Sequence, residues 1–221
     1  MSQTGSTGLD LSAVRGALVR SAAFGYLGGM PVDDQVEHAL GFGVAVEGSW
    51  GSPPNSVVDL GSGGGVPGLI LAACWPSSGF TLLDANERRT SFLAEEIDRL
   101  GWSGRVEVVR ARAELAGRDP ALTGGFEVVV ARSFGAPAVT AECAARLLVE
   151  DGVLVVSEPP LADGAEDRDR WNPEGLALLG LEAAAPIRFR DRYGYQVIRK
   201  VAPTPDRYPR RVGIPTKRPL F

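Results

Sequence analysis

The stretch VVDLGSGGGVPGLILA, residues 57–72, decides the fold. A short apolar run ends in an acid, passes through four glycines and restarts as a second apolar run. A strand that breaks into a glycine turn and continues as a helix is the first unit of a nucleotide-binding α/β domain. Downstream, short apolar runs alternate with helical ones. SVVDL, GFTLLD, RVEVVRA, FEVVVAR and GVLVVSEP read as strands, with VPGLILAAC, NERRTSFLAEEIDRLG, RAELAG and APAVTAECAARLLVED as the helices between them. Strands spaced by helices predict a mostly parallel sheet covered on both faces. DGAEDRDRWNPEG (163–175) reads as a polar loop. After it, EAAAPIRFRDRYGYQVIRKV reads as two strands joined by a turn, which would close the sheet with an antiparallel edge.

Upstream, residues 1–9 are small and polar and read as disordered. Residues 9–24 and the run after Pro31 have helical apolar spacing, and SWGSPPNS (49–56) is a breaker cluster. The expected organisation is a short helical extension over 1–50, the α/β domain over 51–202 and a basic, Pro-rich tail over 203–221 packing on that domain.

At 221 residues the chain suffices for one such domain, and no apolar run is long enough to span a bilayer. The N-terminus carries no secretory pattern. Cys74 and Cys143 sit among alanines and leucines, the setting of buried free thiols in a reducing cytoplasm, and no metal site is visible. The net charge of −4 is unevenly spread: residues 188–221 carry +8 and the rest −12. A basic C-terminal surface on an acidic body suits a polyanion, or simply a solvated tail.

The glycines fit two registers, Gly63/Gly65/Gly68 as a dinucleotide fingerprint and Gly61/Gly63/Gly65 as a tighter loop. A dinucleotide turn should follow its strand directly, yet Gly61, not Gly63, comes straight after VVDL, which argues against the dinucleotide register. Asp59 at the strand end would repel a pyrophosphate and suit a cationic ligand. Two unit charges about 4 Å apart are worth roughly 4 kcal/mol at an effective dielectric of 20. S-adenosylmethionine carries an ammonium and a sulfonium and no phosphate. No Gly-Lys-Ser/Thr follows the loop, which excludes a P-loop. Asp84, ending the second strand, is placed for ribose hydroxyls in either a nicotinamide or an adenosylmethionine site. A nicotinamide oxidoreductase therefore stays open as the less favoured reading.

DLGSGGGVPGLILA, TLLDANERRTSFL, RARAE, FEVVVARSFGAP and YPRRVGIPTKRPL together resemble the bacterial small-subunit ribosomal RNA guanine-N7 methyltransferases, the glucose-inhibited division protein B family. The resemblance runs from Val57 to Phe221. It implies a Rossmann-like class I methyltransferase with a seven-stranded sheet. It also implies an S-adenosylmethionine site formed by Asp59, Gly61, Ser62, Gly63 and Gly65, with Asp84 on the ribose and Ala113 and Glu114 beside the adenine. Arg132 matches a family arginine at the active-site rim, where its guanidinium would meet a carboxylate or phosphate. His38, the only histidine, stands in the family's histidine place. Gly41-Phe42 replaces the Asp-Ser pair that usually follows, the family's Trp-Asn motif is missing upstream, and Glu158 in SEPP stands in place of a lysine. The implied partner is small-subunit ribosomal RNA or the assembled small subunit, met by a monomer through Arg210, Arg211, Lys217 and Arg218. Arg188, Arg190 and Arg192 lie nearby, and Tyr208 or Phe221 would either stack on a base or pack on the domain. Another RNA, a small-molecule substrate, and a cofactor-binding protein without catalysis are the alternatives.

Overall fold

The computed structural model describes residues 10–159 and 170–221. The expected disorder over 1–9, and most of the polar loop, lie outside the described residues. Two helices come first, α1 (Ser12–Ala23) and α2 (Val32–Trp50). The alternating unit follows: β1 (Ser56–Leu60), α3 (Gly68–Cys74), β2 (Gly79–Asp84), α4 (Glu87–Leu100), β3 (Val106–Arg110), α5 (Ala113–Ala116), β4 (Phe126–Ala131), α6 (Pro137–Ala145) and β5 (Leu148–Glu158). The last elements are α7 (Pro173–Ala177), β6 (Leu181–Ala183), β7 (Ile187–Phe189), β8 (Tyr193–Lys200) and the single turn α8 (Ile214–Lys217).

The strands lie in the order β3-β2-β1-β4-β5-β8-β6, with β7 also on β8. Strands β1 to β5 are parallel, and β8 runs antiparallel to β5, β6 and β7. The expected antiparallel edge is present, and β8 is its inner strand. The outer side of β8 is covered in two pieces, with Leu181 opposite Lys200 and Ile187 opposite Tyr195. The pairing slips by one residue between them, so β6 and β7 act as one edge strand broken at a bulge. Counted that way, the sheet is seven strands wide. The helix α7 is a correction, because it begins inside the stretch read as loop. Asn172 caps it by accepting the Gly175 N–H at 2.8 Å, and Pro173 occupies the first turn, where its missing N–H costs nothing.

Strand alternation sends Val57 and Asp59 to one face of the sheet and Val58 and Leu60 to the other. The first face packs on α1 to α4 around Leu18, Phe42, Leu69 and Tyr195, and the second on α5 to α7 around Leu60, Ala144, Leu147 and Leu176. Helix α2 is tied to the sheet and to the end of α3 by polar contacts too. Tyr195 donates its hydroxyl to the His38 carbonyl at 2.6 Å, and the Trp75 indole donates to Glu47 at 2.9 Å. Cys143 is buried, Cys74 is half-buried, and neither is bonded to the other. Burial pushes the Cys74 thiol up to about 11 and raises that of Cys143 further, so neither is a thiolate near neutral pH. Among the described residues no helix is long and apolar enough to cross a membrane, and no group of side chains could hold a metal ion.

Candidate cofactor pocket and active site

The glycine loop is fastened to the end of β2: the N–H groups of Gly61 and Ser62 both donate to the Leu83 carbonyl, at 2.8 and 3.0 Å. Gly61 has φ of 76°, in the left-handed region that glycine enters freely. A Cβ there would also stand 2.7 Å from the Phe134 ring, so the close approach itself requires glycine. Ser62 turns its hydroxyl inward to the Asp59 carbonyl at 2.8 Å and braces the loop.

Asp84 faces the loop. One carboxylate oxygen accepts the Gly63 N–H at 2.9 Å and the other the Asn86 N–H at 2.8 Å. Each oxygen keeps a further lone pair for another donor. Asp84 lies on a cavity of about 430 Å³ whose walls include Gly61, Ala113, Glu114, Phe134 and Thr216. Apolar side chains such as Leu60, Phe134 and Val139 beside the carboxylates of Asp84 and Glu114 suit a nucleoside, since the base wants contact area and the ribose wants acceptors. Glu114 also accepts the Gly213 N–H, at 2.8 Å, and so pins the tail.

Asp59 lies beneath the loop, not on that cavity. It is buried, and its carboxylate accepts the Gly68 N–H at 2.9 Å through one oxygen while the other has no partner. Burial pushes its pKa up to about 7, against the pull of that N–H and of Arg132. The Arg132 Nη1 and the His38 Nδ1 are likewise buried without partners. His38 stacks on Tyr193 at 4.8 Å between ring centroids. Burial, with the charges of Arg132 and Arg192, lowers its pKa to about 4, so the ring is neutral at pH 7.

His38 and Arg132 border a second cavity of about 430 Å³, with Glu158 and Trp171 on another wall. Ser133, Phe134 and Gly135 line both cavities, so the two meet across one short turn after β4. These residues fit S-adenosylmethionine. The first cavity suits its nucleoside, and the unpartnered Arg132 Nη1 beside the second is a donor for a carboxylate, whereas Asp59 is a correction to the expected cofactor contact, because it is buried beneath the loop, lines neither cavity and holds the Gly68 N–H. Buried polar atoms left without partners otherwise cost about 1–3 kcal/mol each.

The structure divides the basic residues. Arg210, expected at the RNA, has its guanidinium on the fully buried Glu142, at 2.6 Å from Nη2 and 2.9 Å from Nε. Arg190 and Arg192 pair with Glu37 and Asp34 of α2. Arg211, Lys217 and Arg218 are exposed and make no ion pair among the described residues. Tyr208 is in the core beside α6, and the Phe221 ring rests on Gly175. Packing therefore accounts for both aromatics. Sequence reasoning missed Phe134, Thr216 and Trp171. The arginine motif beside Phe134 and the tail motif around Thr216 were the signals that could have found the first two.

Residues 45–171 match the family described as GidB, rRNA small subunit methyltransferase G. The chain is 36% identical over 170 residues to the ribosomal RNA small subunit methyltransferase G of Pelotomaculum thermopropionicum, covering 75% of this chain and 70% of that one. It is 35% identical over 179 residues to the protein of the same description from Synechococcus sp. strain WH7803, covering 76% and 66%. The matched stretch thus spans about two thirds of these relatives' length. Among solved structures, the cofactor-bound Rv0187 from MTB superposes with a TM-score of 0.58 at 21% identity, covering 88% of this chain and 92% of that one. An O-methyltransferase from Bacillus cereus in complex with SAH gives 0.57 at 14%, covering 88% and 93%. These structural likenesses establish the Rossmann-like methyltransferase fold, mostly parallel with antiparallel strands at one edge. Fold, glycine loop and sequence identity agree, and the chain belongs to the rRNA small subunit methyltransferase G family of S-adenosylmethionine-dependent methyltransferases.

Proposed function

We propose that this protein methylates N7 of a guanine in small-subunit (16S) ribosomal RNA, in the cytoplasm, with the nucleoside of the cofactor in the Asp84 cavity and the target base in the His38–Arg132 cavity. The observation that carries this reading is the single wall, Ser133 to Gly135, shared by the two cavities. Two ligands on either side of so short a turn are brought end to end.

Bound S-adenosylmethionine supplies an electrophilic methyl group on a sulfonium. Guanine N7 has a lone pair and no proton, so the protein has no base work to do. The neutral His38 ring fits that requirement, because one ring nitrogen donates and the other accepts, and neither needs to titrate at pH 7. His38 and Arg132 then position the partners, and alignment of this kind is worth about 7–11 kcal/mol. The unpartnered Arg132 Nη1 is the donor for an incoming carboxylate or phosphate. Arg211, Lys217 and Arg218 are the cations for the RNA backbone.

A different RNA or a small molecule is the second reading. Glu158 favours it, because it brings a carboxylate to the second cavity where a polyanion would be repelled. That carboxylate is already paired with Arg170 and accepts the Trp171 indole N–H at 2.7 Å, which blunts the objection. The test is methyl transfer from radiolabelled S-adenosylmethionine to small ribosomal subunits lacking their N7-methylguanosine, followed by nucleoside analysis. Label in N7-methylguanosine is the expected result. No label from protein that binds the cofactor would move the substrate elsewhere.

A further inference from the structure

The tail does more than cover the domain. Thr216 and Pro219 stand in the wall of the Asp84 cavity together with Ala113 and Glu114. We propose that residues 210–219 are a latched wall of the cofactor site, with Thr216 as a cofactor-contacting residue, so that the segment carrying the exposed cations Arg211, Lys217 and Arg218 also closes on the cofactor. The proposal rests on the assignment of this cavity to the cofactor's nucleoside.

Four contacts hold the segment in place. The Arg210 main-chain N–H and guanidinium all converge on the buried Glu142 of α6. Three residues on, the Gly213 N–H donates to Glu114, a side chain that itself lines the cavity. Beyond the cavity, Phe221 is seated on Gly175 of α7. Upstream, Arg118 donates to the carbonyls of Pro209 and Arg207, at 2.7 and 3.1 Å. Between these anchors Thr216 is exposed and makes no side-chain hydrogen bond with a described residue. A hydroxyl both donates and accepts, which suits the ring nitrogens and exocyclic amine of adenine. Glu114 both lines the pocket and ties down the tail, so occupancy of the pocket and closure of the tail are read by one carboxylate. Ligand that touches the closed segment must favour its closed state by the same factor that closure favours the ligand.

The test uses the full chain, with S-adenosylhomocysteine as probe and two readouts. Calorimetry compares wild type with Thr216→Val, which keeps the shape and deletes the hydroxyl. Because Thr216 is exposed, the variant should melt as wild type does while its dissociation constant rises about three- to tenfold, the loss of one net hydrogen bond. Trypsin cleavage after Arg211 and Lys217 should slow several-fold under saturating S-adenosylhomocysteine, with cleavage after Arg188 on the far sheet edge unchanged. An unchanged dissociation constant together with ligand-independent cleavage would overturn the proposal. Failure of the wild type itself to bind S-adenosylhomocysteine would instead overturn the cavity assignment, and with it this inference.

Discussion

Replacing Arg210 with alanine separates a structural latch from an RNA contact, because the two roles predict different measurements. Glu142 has no exposed side-chain surface, and Arg210 is 24% exposed. Glu142 accepts four hydrogen bonds from Arg210, one from the main-chain N–H at 2.7 Å and three from the guanidinium at 2.6, 2.9 and 3.1 Å. The substitution deletes the last three and leaves a buried carboxylate facing one N–H. Breaking a buried pair from one side costs about 3–5 kcal/mol. The surviving main-chain bond returns about 1 kcal/mol, so the net loss should be about 2–4 kcal/mol. For a chain of this length each kcal/mol moves the melting point by about 2–4 °C, which gives a fall of about 5–15 °C. Urea titration supplies the free energy directly. A double-mutant cycle with Glu142→Gln should show that the second change costs far less once the first is made. A loss below about 0.5 kcal/mol, the scale of an exposed pair, would refute the reasoning and return Arg210 to the surface cations.

The neighbouring cations should behave oppositely. Changing Arg211, Lys217 and Arg218 together to alanine should leave the melting point in place and flatten the salt dependence of RNA binding by about 0.7–0.9 in log–log slope for each phosphate no longer neutralised, read by titration at several ionic strengths. Asp84→Asn should weaken S-adenosylhomocysteine binding about tenfold or more by calorimetry, since hydrogen bonds to a charged group are worth about 1.5–3 kcal/mol; an unchanged constant would remove Asp84 from the site. Gly68→Ala should cost about 1–3 kcal/mol in a denaturant titration, because a Cβ there would lie 2.5 Å from Leu82 and 2.6 Å from the Asp59 carboxylate. Asp59→Asn has a signed pH dependence without ligand. The folded pKa of Asp59, about 7, lies above the ordinary 3.8, so the native state holds the extra proton and wild-type stability falls as pH rises through that window. Asparagine cannot ionise, so the variant should gain on wild type as pH rises from about 4 to about 7. His38, lowered to about 4 from 6.5, acts in the opposite sense: wild-type stability is lost on acidification through that range, and His38→Asn should lessen the loss.

The parallel half of the fold was legible because its signals are local. A strand buried on both faces is a run of valines and leucines, and Gly61 sits at a turn where a left-handed residue and a close ring coincide. The antiparallel half was less so. Which of two adjacent strands lies inside depends on a register between residues some 40 apart in sequence, Leu154 with Ile198, and no local pattern encodes that. The loop over α7 hid a short helix behind charge, although Asn-Pro-Glu-Gly carries its capping signal. At the candidate site, the residue types around Asp59, Asp84, Arg132 and His38 were readable, but their partners were not. Arg210 looks like any other tail arginine until the carboxylate of Glu142, from the middle of an alanine-rich helix, is found beneath it. Thr216 had no signal of its own beyond the tail motif around it, because a tail residue joins a pocket only through tertiary packing.

The interrupted outer strand of the sheet bears on how the molecule behaves in a crowded solution. An uncovered strand edge is a template onto which another chain can add. Here that border consists of two three-residue pieces out of step with each other, with Arg188 exposed on one and Glu182 on the other. The opposite border, β3, presents Glu107 and Arg110 at its exposed positions. A sheet whose parallel core is rich in valine and leucine is thereby left, among the described residues, with no long, flat, uncharged margin on which cross-β growth could start.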